Sequence, residues 1–294
     1  MTGAGGLIGS HAAATWSPES ELVAIAREGG RPAPSQVAKS LTMDLSRPLD
    51  GKALPGKLDA VVHCAQSSRF REFPGGAADM EAINIRSALD LADYAVGAGA
   101  RSFVYLSTGG VYRASESPLA ECDAVKPESF YAATKAAAEQ LLAHYSDLLN
   151  VVVLRPFFVF GPGQEAMLVP NLITKVDQGE EIVVAGKNGM RTNPTFVDDA
   201  VEMVRSALDL DASATINLAG DETLSLREMA EEIGRVLGKP AKIASDPPTT
   251  SKPIDLVPDL DTCRRELRPP PSRPFAEGIA ETCLAMGLSV AREQ

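Results

Sequence analysis

Tyr131 and Lys135 stand four residues apart in an alanine-rich stretch that reads as helix, so their side chains share one face. A free tyrosine, with a pKa of about 10, is a poor base at neutral pH. A lysine ammonium within reach stabilises the phenolate and lowers that value. Such a tyrosine takes a proton from an alcohol as hydride leaves, or returns one as hydride arrives. Thr108 follows the apolar run Phe103-Val104-Tyr105-Leu106, where its hydroxyl is placed to bond the same substrate oxygen. Near the N-terminus, glycines fall at positions 3, 6 and 9, with a helix expected from about Ser10. A turn of this kind lets backbone amides approach a pyrophosphate with no Cβ in the way. The helix after it aims its N-terminal amides and dipole at the same anion. None of these signals is specific alone. Their order decides: glycine turn, strand-end hydroxyl, then tyrosine and lysine on the next helix.

The elements that must position these residues alternate. Leu22–Ala26 reads as a strand, Leu41–Asp44 as a short third strand, and Leu58–Cys64 as a fourth whose run Ala60-Val61-Val62 is continuous, as in strands buried on both faces. Helices are expected over 78–97 and from Ser129 to about Leu149, with strands at 103–106 and 151–154. This is the pattern of an α/β protein with a Rossmann-like, doubly wound parallel sheet. Past Arg155-Pro156 the rhythm changes to a helix at 167–178, a strand at 182–185, and helices at 198–209, from Ser225 to Gly238, and at 274–287. Proline becomes dense at 247–258, where regular structure should thin out. Residues 1–156 are expected to form the dinucleotide-binding domain, with 192–219 returning to it. Residues 157–294 are expected to form mainly a smaller α+β substrate lobe. The strand that should precede the glycine turn is missing, since only Met1 stands before Thr2. The expectation is a natural chain that begins several residues upstream.

Eighteen residues beyond Gly9, at the end of the second strand, an acidic residue would hold the adenosine ribose hydroxyls. Arg27 stands there instead. It reads either as a partner for a 2′-phosphate, tilting the cofactor toward NADP, or as a solvated strand-end charge. Asp44 reads either as a cap for the adenine amine or as a surface turn.

Composition narrows the class. Of the 294 residues 45% are hydrophobic and 23% charged, which is ordinary for a globular protein. A net charge of −11 argues against a nucleic-acid surface, so any phosphate must be held locally. Four scattered cysteines and three histidines without short spacing form neither a disulfide framework nor a metal site. With no signal peptide and no long apolar run, a cytoplasmic protein that does not enter membranes is expected.

The chain resembles the extended short-chain dehydrogenase/reductase family, in its epimerase/dehydratase branch. The resemblance rests on Thr2-Gly3 with Gly6 and Gly9, Val61-Val62-His63-Cys64-Ala65, Asn84 and Leu106-Ser107-Thr108. It continues through Val111-Tyr112, Tyr131-x-x-x-Lys135, Leu154-Arg155-Pro156, Gly161-Pro162, Val197-Asp198-Asp199, Ile216–Gly220 and Asp261. It implies bound NAD or NADP, the catalytic set Thr108, Tyr131 and Lys135, a homodimer packed through the two long helices, and a nucleotide-sugar substrate. Cofactor contacts are then expected from Gly3, Gly6, Leu7, Ile8, Gly9, Arg27, Asp44, Leu45, Ala65, Tyr131 and Lys135. Substrate contacts are expected from Thr108, Phe158 and Arg191. Dehydratases of this branch carry Asp-Glu after the Ser/Thr, whereas Gly109-Gly110 stand here, so dehydration is disfavoured. Phe158 replaces an asparagine that contacts the substrate diphosphate, and Arg191 lies one residue off the family's phosphate-binding arginine. The leading expectation is a nucleotide-sugar epimerase. An NADPH-dependent ketoreductase is the alternative, and a non-catalytic dinucleotide sensor the third reading.

Overall fold

In the computed structural model, which describes residues 1–246 and 254–291, the first five strands join one parallel sheet. They are β1 (Val23–Ala26), β2 (Lys39–Thr42), β3 (Ala60–His63), β4 (Ser102–Leu106) and β5 (Asn150–Pro156). Helices α1 (Leu7–Trp16), α2 (Ala77–Glu81), α3 (Ser87–Gly97) and α4 (Phe130–Leu142) alternate with them. A π-turn at Ala82–Arg86 joins α2 to α3 without a break. The later elements are β6 (Val159–Phe160), α5 (Leu168–Gln178), β7 (Glu181–Ala185), β8 (Arg191–Thr192), β9 (Thr195–Phe196) and α6 (Val197–Ala207). They continue with β10 (Ala214–Leu218), β11 (Leu224–Ser225), α7 (Leu226–Leu237), β12 (Lys242–Asp246), α8 (Asp261–Glu266) and α9 (Phe275–Ala285).

β3, β4, β5 and β10 are consecutive parallel neighbours, and β1 pairs parallel with β2. The gap between β1 and β3 is filled by Met1 and Thr2. Thr2 forms parallel bridges to Ile25 on one side and His63 on the other. Its N–H donates to the Val62 carbonyl at 2.9 Å, and Ile25 N–H donates to the Met1 carbonyl at 2.8 Å. The first strand, expected to be missing, is thus represented by two residues.

Alternate strand residues feed two cores, as a sheet covered on both faces requires. Val62, Val104, Val152 and Leu154 pack with Trp16 of α1 and Val201 and Val204 of α6. Val61, Phe103, Val151 and Val153 pack with Leu91 of α3 and Leu142 of α4. A third core, including Ile173, Ile182, Met229, Ile233 and Ile279, lies among α5, β7, α7 and α9. α6 packs against α1, and β10 pairs parallel with β5.

Several boundaries differ from expectation. α4 stops at Leu142 rather than near Leu149, tightening into a 3₁₀ turn at Ala143–Tyr145. It must stop there because Leu149 enters the core and Asn150 N–H pairs with the Arg101 carbonyl. α1 starts at Leu7, three residues early, with Gly6 as its cap. β12 was not anticipated; its half-exposed residues lack strand alternation, and it is held by parallel pairing with β7. The capping box at Ser225 and Glu228 and the left-handed Gly238 end α7 as expected. Of the proline-dense stretch at 247–258, residues 247–253 lie outside the described ones. Among the described residues no helix is long and apolar enough to cross a membrane.

The seam at Thr2 carries a titratable group. His63 is 0% exposed, and its Nδ1 lies 2.7 Å from the Thr2 hydroxyl. Burial, reinforced by the nearby Lys135 charge, lowers its pKa from 6.5 to about 3. The unfolded chain takes up this proton below pH 6.5, whereas the folded protein resists until about pH 3. Stability therefore falls as pH drops through that window. Between about pH 7.5 and about pH 5 the loss expected from His63 is about 2 kcal/mol. Denaturant unfolding at the two pH values should show that loss in the wild type and most of it gone in His63→Asn. An equal loss in both proteins would refute the assignment.

Candidate active site

The glycine turn departs from the sheet under tight steric control. Gly3 has φ +70°, and a Cβ there would meet the Ala65 nitrogen at 2.7 Å. A Cβ on Gly9 would meet the Gly3 carbonyl oxygen at 2.2 Å. No side chain caps α1 at Gly6, so the first-turn amides of Leu7, Ile8 and Gly9 are left for an anion. A cavity of about 300 Å³ opens beside the turn, lined by Gly3, Gly5, Gly6, Arg27, Arg31, Asp44, Leu45, Ala65 and Ser68 among others. Arg27 is exposed and donates to the Ser68 hydroxyl at 2.6 Å. The Ser46 hydroxyl and backbone amide bond Asp44 and hold its carboxyl below the usual range. These residues therefore fit a dinucleotide: close-approach glycines and uncapped amides at one end, an arginine at the other.

A second cavity of about 430 Å³ adjoins the first, and Gly3, Gly6, Cys64 and Gln66 line both. Thr108, Tyr131, Phe157, Phe158, Leu7, Ile8 and Gly9 are in its wall. Tyr131 lies in the first turn of α4, whose amides are capped by Ser129 accepting from Ala132 N–H at 3.1 Å. Asn84, in the π-turn, accepts from Ser67 N–H at 3.0 Å and donates to Thr134 at 2.8 Å. It thereby ties the loop after β3 to the turn of α4 that carries Lys135.

The Tyr131 hydroxyl donates to Gln66 Oε1 at 2.6 Å. Burial pushes the phenol well above its ordinary range, with Thr108 opposing more weakly. Lys135 is 1% exposed and lies outside both cavity walls, with its Nζ 4.1 Å from the centre of the Tyr105 ring. Burial pulls its ammonium down to about 7, against the pull of Glu139 and Cys64. The expected lowering of the phenol by lysine is therefore not what these side chains produce by themselves. Burial drives both members toward their neutral forms.

Phe158 is in the larger cavity wall with φ +39°, an unusual conformation for an aromatic residue. Arg191 is in neither wall. Its Nε and Nη2 each lie 2.8 Å from Asp255 Oδ2, and the segment carrying Asp255 sends Leu256 into the cavity instead. Gln66, Arg71, Phe157 and Leu256 were not singled out from sequence. Gln66 alone had a signal, being a polar residue directly after a strand-end motif.

A model of the NAD dependent epimerase/dehydratase family matches residues 1–219, and the chain belongs to that family. A dTDP-4-dehydro-6-deoxy-D-allose reductase from a Streptomyces species is 29% identical over 217 residues, 69% of this chain and 66% of that protein. The chain thus spans just under two thirds of that relative's length. A UDP-glucose 4-epimerase from Mycolicibacterium smegmatis is 31% identical over 209 residues, covering 68% of this chain and 67% of that one. Among solved structures, MoeE5 in complex with UDP-glucose and NAD is similar at a TM-score of 0.83 and 25% identity, over 97% of each chain.

Of the two glycines after Thr108, the first is shaped by Phe157. A Cβ on Gly109 would sit 2.7 Å from that ring, in space an acidic side chain would need. On Gly110 a Cβ would meet only the Thr108 hydroxyl at 3.3 Å and lie 3.9 Å from Ala132. Gly109→Asp is expected to cost about 1–3 kcal/mol from overpacking, whereas Gly110→Ala should stay close to wild type. Chemical denaturation of the two variants checks this, and equal stability would contradict it.

Proposed function

We propose that this chain is a dinucleotide-dependent enzyme acting at a hydroxyl or keto carbon of a nucleotide-sugar, in the first place as an epimerase. The observation that carries the reading is the pair of adjoining cavities. They meet at Gly3, Gly6, Cys64 and Gln66, and the larger has Tyr131 and Thr108 in its wall. Gly3, Gly6, Leu7, Ile8 and Gly9 hold the pyrophosphate, while Arg27, Asp44, Leu45 and Ala65 take the adenosine end. Lys135 serves the nicotinamide ribose and the phenol. Bound NAD or NADP supplies the hydride acceptor and donor. Thr108 and Tyr131 bond the reacting oxygen, and the phenol carries its proton away or returns it. The Gly109-Gly110 pair offers no acid or base for water loss, so dehydration stays disfavoured.

Phe70, Phe157, Phe158, Met167 and Leu256 make much of the larger wall apolar, which suits a sugar presenting few hydroxyls on that side. The reading extends to a cytoplasmic homodimer packed through the α2–α3 segment and α4, where Leu141 leaves 42% of its surface exposed.

An NADPH-dependent ketoreductase is the second reading. Arg27 and Arg31 favour it, since both line the adenosine-side cavity where an acidic ribose partner would otherwise stand. Incubation with NADPH or NADH and a panel of nucleotide-sugars, 4-keto and deoxy forms included, separates the two. Interconversion of sugars without net cofactor change is expected of an epimerase. Oxidation of NADPH in proportion to product establishes the reductase instead. Turnover of no member of the panel, by either route, would contradict both.

A further inference from the structure

Glu139 lies one helical turn beyond Lys135 on α4 and is 8% exposed. Its carboxylate is held from two different strands. Arg155 of β5 approaches both oxygens, with Nη2 2.6 Å from Oε2 and Nε 3.2 Å from each. Ser107, the residue just before Thr108, donates its hydroxyl to Oε1. Arg155 in turn donates to the Tyr112 hydroxyl at 2.6 Å, and Tyr112 donates to Asn217 of β10 at 2.9 Å. Ser107, Tyr112, Arg155 and Asn217 are each no more than 5% exposed.

Burying an ion pair adds little stability over an apolar replacement, because desolvation consumes most of the attraction. What such a pair does supply is geometry, since each hydrogen bond must be met at its own angle. Here the parts it joins are the end of β4, which carries Thr108, and the helix that carries Tyr131 and Lys135. We propose that Glu139 is a positioning residue which, clamped by Arg155, ties Ser107 to α4 and so sets Thr108 relative to Tyr131 and Lys135. This rests on the reading of Tyr131 and Lys135 as the chemical pair.

An electrostatic consequence follows from the same placement. The groups facing the Lys135 ammonium are Glu139 on its own helix, His63 and Cys64 where β3 ends, and the Tyr105 ring of β4. Of these only Glu139 brings a negative charge at neutral pH, because burial keeps the Cys64 thiol protonated up to about 12. Glu139 is the main influence holding the Lys135 ammonium up against burial, so loss of its charge lowers that group further. The ammonium form is then less populated near neutral pH.

Ser107→Ala, Glu139→Gln and Tyr131→Phe test the proposal, each checked for folding by circular dichroism. The Lys135 titration is followed by NMR in the cofactor-free protein, with its signal assigned through Lys135→Met. Glu139→Gln should move that titration down by about one pH unit or more, and shift the alkaline limb of the kcat profile the same way. Ser107→Ala keeps the charge, so the titration should stay while kcat falls about tenfold and KM changes little. If Glu139→Gln does not fold, Ser107→Ala decides alone. Wild-type kcat in Ser107→Ala, or in a folded Glu139→Gln an unmoved Lys135 titration, overturns the positioning role. Full activity in Tyr131→Phe overturns the underlying reading instead, whatever the other variants show.

Discussion

The sheet is joined across a seam two residues wide. Thr2 pairs with β3 through its N–H, and Met1 accepts from β1, so both neighbours close on the same short segment. Without it, Ile25 and Val62 would present unpaired backbone groups inside the protein, each costing about 1–3 kcal/mol. The Thr2 hydroxyl adds a side-chain tie to buried His63. Because the chain is locked at Thr2, it leaves the sheet with Gly3 pressed against Cys64 and Ala65. That contact decides where the turn runs and where the N-terminus of α1 points. The cavity beside the glycine turn is thus a consequence of the seam.

Burial is the second organising influence. The chain is acidic overall, so an anion bound beside the glycine turn would be held by oriented amides and local arginines rather than by a basic surface. Lys135 is buried and Tyr131 half-buried in the cavity wall, and the phenol rises while the ammonium falls. A site built this way rests with the proton on Tyr131, directed at Gln66. Ionising the phenol calls for positive charge brought into the cavity together with the ligand. The Glu139–Arg155 pair holds the helix and strand that meet there, so placement and charge are governed by one buried network.

Much of this was legible from the residues, for identifiable reasons. Continuous apolar runs such as Ala60-Val61-Val62 mark doubly covered strands, and the Ser225–Glu228 capping box and Gly238 mark helix ends by local chemistry alone. The glycine turn, Thr108 and Tyr131 all border the paired cavities because their spacing reflects one strand–helix unit each. What escaped was set by distant contacts. β12 exists through its pairing with β7, and α4 ends early because Leu149 and Asn150 are required elsewhere. Leu256 reaches the cavity and Asp255 takes Arg191 through a segment more than sixty residues away in sequence. The seam itself carries no periodic signal, since two residues cannot show a strand pattern.

Tyr131, moving the proton when hydride is exchanged, is the centre of the proposed chemistry. The direct measurement is a single-turnover experiment with NAD(P)-loaded protein and nucleotide-sugar, following absorbance of the reduced nicotinamide in wild type and Tyr131→Phe. The variant is expected to bind cofactor as wild type does but to form reduced nicotinamide at least about a hundredfold more slowly. Reduction at the wild-type rate in the variant would contradict the mechanism.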